Sequence, residues 1–96
     1  MPERKPGTKG KTKVVFSLPK DVGAESAVIC GDFNDWSETA TPLRRYKDGH
    51  FAVTVNLAEG EYRYRFLLDG ERWENDWEAE SYVTNEFGTE DSLIRV

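Results

Sequence analysis

Two neighbouring stretches of strict alternation constrain this chain more than anything else in it. Phe51, Val53, Val55 and Leu57 alternate with Ala52, Thr54 and Asn56, and Tyr62, Tyr64, Phe66 and Leu68 alternate with Arg63, Arg65 and Leu67. Period two sends successive side chains to opposite faces, so each run reads as a half-buried strand. Ala58-Glu59-Gly60-Glu61 joins them, a link short enough for an antiparallel hairpin.

The rest of the chain follows the same period. Val14-Val15-Phe16-Ser17-Leu18 stops at Pro19, and Ser26 to Cys30 forms another short β run. Asp69-Gly70 is a type I′ turn signal leading to Trp73, while Tyr82-Val83 and Ser92 to Val96 supply closing strands. No segment carries an apolar stripe at helical spacing over three turns. Six to eight short strands at this spacing predict an all-β fold, an antiparallel immunoglobulin-like β-sandwich. At 96 residues the chain can support one core.

Charge divides the chain in two. Residues 1–13 carry five Lys/Arg and one acid, whereas the remainder carries eight against seventeen. The basic end is rich in Gly and Pro and nearly free of apolar groups, so residues 1–12 are expected to be a flexible basic tail and 13–96 the folded domain. An acidic body disfavours nucleic acid and anionic membranes as partners, because Lys and Arg neutralising phosphate supply most affinity for the former. No apolar run approaches the roughly 20 residues of a membrane helix. The amino terminus lacks an apolar segment behind its basic residues, and the single Cys30 cannot form an internal disulfide, so the expectation is a cytoplasmic monomer.

Catalytic chemistry has little to stand on. Cys30 sits among small and apolar residues and reads as a buried inert thiol; His50 follows the Asp48-Gly49 turn and reads as exposed and structural. One His and one Cys cannot make a zinc site. Asp32, Asn34 and Asp35 lack the spacing of a calcium loop. Glu71, Glu74, Asp76, Glu78 and Glu80 read as a solvated charge run, since a carboxylate pair for glycoside hydrolysis needs a cleft to raise one pKa. Gly10-Lys11-Thr12 resembles the end of a phosphate loop, but Lys5 stands where that motif demands Gly, and no strand precedes it. No enzyme, metal or cofactor is expected.

What remains is aromatic. Trp36 ends the turn-forming stretch Gly31-Asp32-Phe33-Asn34-Asp35, and Trp36, Trp73, Trp77 and Phe87 each adjoin polar residues or Gly rather than an apolar run. A pyranose ring has apolar C–H faces and hydroxyl edges, which suit a flat ring flanked by amide, carboxylate and guanidinium groups.

The segments Gly31-Asp32-Phe33-Asn34-Asp35-Trp36-Ser37, Pro42-Leu43, Glu59 to Gly70, Trp73 and Phe87-Gly88-Thr89 closely resemble the family-48 carbohydrate-binding module. That family includes the glycogen-binding domain of the AMP-activated protein kinase β subunit and the N-terminal modules of isoamylases and branching enzymes. The resemblance runs from about Lys13 to Val96 and implies an early-set β-sandwich that binds α-1,4-glucan (glycogen, starch or maltooligosaccharide) without catalysis. It assigns Trp36 and Trp73 as stacking platforms and Arg65 as a donor to sugar hydroxyls. Phe87 would press against the glucose units, and Thr89 would supply a hydroxyl contact. Asp91 stands where kinase-type members have Asn, and Asn85 and Trp77 are additional candidates. The implied partners are an α-glucan and a glucan-processing enzyme; the alternative is a protein-interaction module that docks on such an enzyme and binds no sugar. Contacts of this kind support weak binding, on the order of 10 μM to mM.

Overall fold

The computed structural model describes residues 2–96 and arranges them as nine strands in two antiparallel sheets. The strands are β1 (Glu3–Pro6), β2 (Thr12–Leu18), β3 (Ala27–Gly31), β4 (Arg44–Arg45), β5 (Phe51–Leu57), β6 (Glu61–Leu68), β7 (Arg72–Glu74), β8 (Ser81–Thr84) and β9 (Glu90–Arg95). One sheet has the order β1-β2-β5-β4; the other runs β3-β6-β9-β8, with β7 also paired to β6. The expected antiparallel sandwich is therefore present, with β1 and β4 in addition to the strands read from the sequence. The β4 strand is only two residues long and lacks any alternating pattern.

The alternation decides the core. Val14, Phe16 and Leu18 of β2 and Phe51 and Leu57 of β5 meet Ile29 of β3, Tyr64, Phe66 and Leu68 of β6 and Ile94 of β9, all of them buried. Phe16 packs edge-on against Tyr64 at 4.8 Å, and Phe33 stacks on Phe16 from the loop after β3. β6 is the hub. Its amino-terminal half pairs with β9 and its carboxy-terminal half with β7, while β3 pairs with Tyr64 to Leu68 along the other edge. The turn after β6 has Asp69 and Gly70 at φ 53° and 71° with Glu71 N–H bonded to the Leu68 carbonyl, as the Asp-Gly signal predicts.

Three readings are corrected. The stretch expected to be a flexible tail contains β1, whose Glu3 to Pro6 pair antiparallel with Val15 to Thr12. Arg4 then reaches across to the Arg95 carbonyl at 3.0 Å and to Glu80 at 2.7 Å, tying the strand to the second sheet. Charged residues and proline are what a solvated edge strand carries to block further pairing, so composition alone could not tell it from a linker. Met1, counted in that tail, lies outside the described residues. The acidic run 71–80 is not uniformly solvated either: Asp76 is buried. Its carboxylate accepts the Tyr64 hydroxyl at 2.7 Å and the Glu78 N–H at 2.9 Å, and its own N–H donates to Ser92 Oγ at 3.0 Å. A buried carboxylate is tolerated only when paired in this way. His50 is half-buried rather than exposed, stacked flat on Tyr46 with ring centroids 4.6 Å apart and bonded to Asp48. Cys30 is fully buried, and that burial pushes its thiol pKa up.

Candidate functional site

The outward face of β6 carries Arg63 and Arg65 between the core-facing tyrosines and Phe66. Leu67 on that face lies in register with Trp73 of β7, so the tryptophan stands beside the arginines across the strand pair. The Arg65 guanidinium sits over the Trp73 ring at 5.7 Å, and its buried Nε has no partner among the described residues. This cation–π contact takes one side of the indole and helps hold it upright. Trp73 remains 38% exposed.

Trp36 approaches from the loop after β3. Gly31 is required at the end of that strand, because a Cβ there would come within 2.6 Å of the Arg63 carbonyl and 2.8 Å of Tyr64 Cβ. A short 3-10 turn over Asp32–Asn34 follows. Asp35 and Trp36 then adopt left-handed backbone at φ 55° and 56°, costly for residues other than glycine and a conformation found at ligand clamps. The loop is heavily tied: Asn34 Oδ1 accepts the Gly31 N–H, Asn34 Nδ2 donates to the Ile29 carbonyl and to Thr41 Oγ1, and the Trp36 N–H donates to the Gly31 carbonyl. The indole itself is fixed by Asp32, whose Oδ1 accepts Trp36 Nε1–H at 3.0 Å while Oδ2 accepts the Arg63 N–H at 2.9 Å.

The third wall is the turn between β8 and β9, built around Asn85. Asn85 Oδ1 accepts the N–H groups of Phe87 and Thr89, and Nδ2 donates to Thr89 Oγ1 at 2.8 Å and to Asp91 Oδ1 at 3.1 Å. Gly88 completes the turn at φ 81°. The result is a rigid tip on which Phe87 stands 82% exposed.

Trp36, Arg65, Trp73, Asn85, Phe87 and Asp91 line one open groove of about 640 Å³. The structure therefore gathers most of the sequence-derived candidates into one place. Thr89 is outside the groove lining, its hydroxyl engaged with Asn85. Asp91 is 5% exposed and bonded to Asn85, so it braces the Phe87 turn from the groove floor. Trp77 lines a separate recess. Asp32, Arg63 and Glu86 also line the groove and were not assigned to it from the sequence. Arg63 could have been found by period two, two residues before Arg65 on the same face; nothing local marks Asp32 as the group that holds the ring. Among the described residues no group of three or more His, Cys, Asp and Glu is placed to hold a metal ion, and no helix is long and apolar enough to cross a membrane.

An antiparallel β-sandwich with a preformed groove, walled by aromatic rings and floored by guanidinium and carboxylate groups, is a ligand-binding module. A family model described as the glycogen recognition site of AMP-activated protein kinase matches residues 12–96, and the chain belongs to that family. It is similar to the 5'-AMP-activated protein kinase subunit beta-1 of Sus scrofa, 38% identical over 74 residues that make up 77% of this chain and 57% of the relative. Subunit beta-2 of Homo sapiens is 36% identical over 74 residues, 77% of this chain and 26% of that protein. The chain thus spans little more than half of the first of these relatives and about a quarter of the second.

Proposed function

We propose that the chain binds α-1,4-glucan, as glycogen, starch or maltooligosaccharide, without catalysing its cleavage. The observation that carries this reading is the convergence of Trp36, Trp73 and Phe87 on one groove with Arg65 between them. The rings offer apolar faces to the C–H faces of glucose units, and the arginine donors and carboxylate acceptors suit the hydroxyl edges. The family to which residues 12–96 belong supports the same ligand class. Two of the groove's three carboxylates are committed to structure, Asp32 to Trp36 and Arg63 and Asp91 to Asn85, which leaves Glu86 without the paired carboxylate that hydrolysis needs and argues for recognition. The named relatives are kinase subunits, so we read the module as one part of a cytoplasmic assembly that brings a partner enzyme to the polymer.

Electrophoresis through gels containing glycogen tests the reading. The wild-type chain should be retarded, with Trp36→Ala and Trp73→Ala migrating as in a glycogen-free gel. Equal mobility of all three with and without glycogen would overturn it.

A further inference from the structure

We propose that Trp77 and His50 wall a second saccharide subsite, which takes one or two glucose residues of another chain of the same polymer. The proposal rests on the α-glucan reading of the first groove. Trp77 is 52% exposed, more than Trp73, and contributes nothing to the core. It is nevertheless held still, its Nε1–H donating to Glu74 Oε1 at 3.0 Å. The loop beneath it is anchored by buried Asp76, which takes the Tyr64 hydroxyl and the Glu78 N–H and also bonds Ser92. A large ring displayed on so rigid a loop is a contact surface without a contact.

Beside that ring lies a recess of about 230 Å³, bounded by Ser17 to Pro19 at the end of β2, by His50, and by Asp76 to Glu78. It has roughly a third of the volume of the first groove, which sets the size of its occupant. The imidazole is fixed from behind by its stack on Tyr46 and its bond to Asp48. An indole face, an imidazole and the Ser17 hydroxyl are the chemistry a pyranose requires, an apolar platform with hydrogen-bonding groups at its edge. Asp76 and Glu78 in the same lining disfavour an anionic occupant. Trp73 on β7 and Trp77 in the loop after it sit four residues apart, one in each recess, so a branched polymer can engage both.

The three tryptophans give three indole N–H resonances, assignable by single Trp→Phe substitutions. Titration with maltotriose should shift the Trp77 resonance both in the wild-type chain and in Trp73→Ala. If the resonances of Trp36 and Trp73 move and that of Trp77 does not, the second subsite is refuted while the first reading stands; if none moves, both fall. A Trp77 shift that disappears in Trp73→Ala would also refute it, because the ring would then be sensing the first groove. Trp77→Ala should weaken binding to glycogen on the order of tenfold through lost bivalency, with Trp77→Phe restoring it and thermal unfolding unchanged. Wild-type glycogen affinity in Trp77→Ala would overturn the proposal.

Discussion

Replacing Asp32 by Ala tests whether the Trp36 platform is preorganised by its neighbour. The carboxylate makes two bonds, one to the Trp36 indole N–H and one to the Arg63 backbone N–H, and so links the loop after β3 to the strand that carries Arg65. Both bonds lie at the surface, where water can replace the lost acceptor, so their loss falls at the low end of the range for charged hydrogen bonds. The released indole must then be ordered again on binding, which costs about 0.5–1.5 kcal/mol for a side chain of this kind. Together these give a loss of about 1 kcal/mol in affinity, roughly fivefold in Kd. Calorimetric titration with maltoheptaose measures it. In a Trp36→Phe background the ring has no N–H for Asp32 to hold, so the same substitution should cost less than about twofold, leaving a coupling energy on the order of 0.5–1 kcal/mol in the double-mutant cycle. Asp32→Asn keeps only one of the two acceptor oxygens and should give an affinity between those of wild type and Asp32→Ala. An unchanged Kd for folded Asp32→Ala, or an equal loss in both backgrounds, would refute the argument and leave Asp32 as a bystander or a direct sugar contact.

Gly31→Ala should destabilise the chain by about 1–3 kcal/mol or more, because the new methyl meets backbone of β6 that cannot move aside; an urea unfolding midpoint within error of wild type would contradict the packing described here. Tyr64→Phe removes the hydroxyl that satisfies buried Asp76 and should cost about 1–3 kcal/mol, seen as a melting temperature lowered by several degrees; no change would mean that water or another donor takes its place. Acid should destabilise the fold through Asp69 and Glu80. The N–H groups of Glu25 and Ser26 hold the Asp69 carboxyl below its ordinary 3.8. For Glu80, burial pushes the pKa up, but the Arg95 N–H and the Arg4 guanidinium outweigh it and leave the value below 4.5. A carboxylate depressed in the folded state stabilises fully above its ordinary pKa and loses that contribution as pH falls through the folded value. Melting temperature should therefore drop as pH falls through 4 toward 3, and less steeply in an Asp69→Asn, Glu80→Gln variant; parallel profiles would refute the assignment.

The sequence by itself determined the sandwich, because the alternation in β2, β5 and β6 can bury its apolar half only between two sheets, and the Asp69-Gly70 turn fixes where β6 ends. It also made most of the site legible, since Trp36, Trp73 and Phe87 adjoin polar residues or Gly rather than an apolar run. Tertiary structure decided the rest. Asp76 could be told from its acidic neighbours only once β6 and β9 placed Tyr64 and Ser92 around it. β1 became a strand only by pairing with β2 and tying Arg4 to Glu80. The assignment of Trp73 and Trp77 to different recesses, and the clamp of Asp32 on Trp36, depend on which strands become neighbours. Local pattern records which face a side chain occupies. What it meets across that face is set by pairings between separate strands and loops, such as Asp76 with Tyr64 and Ser92 or Asp32 with Arg63, and these exist only in the folded chain.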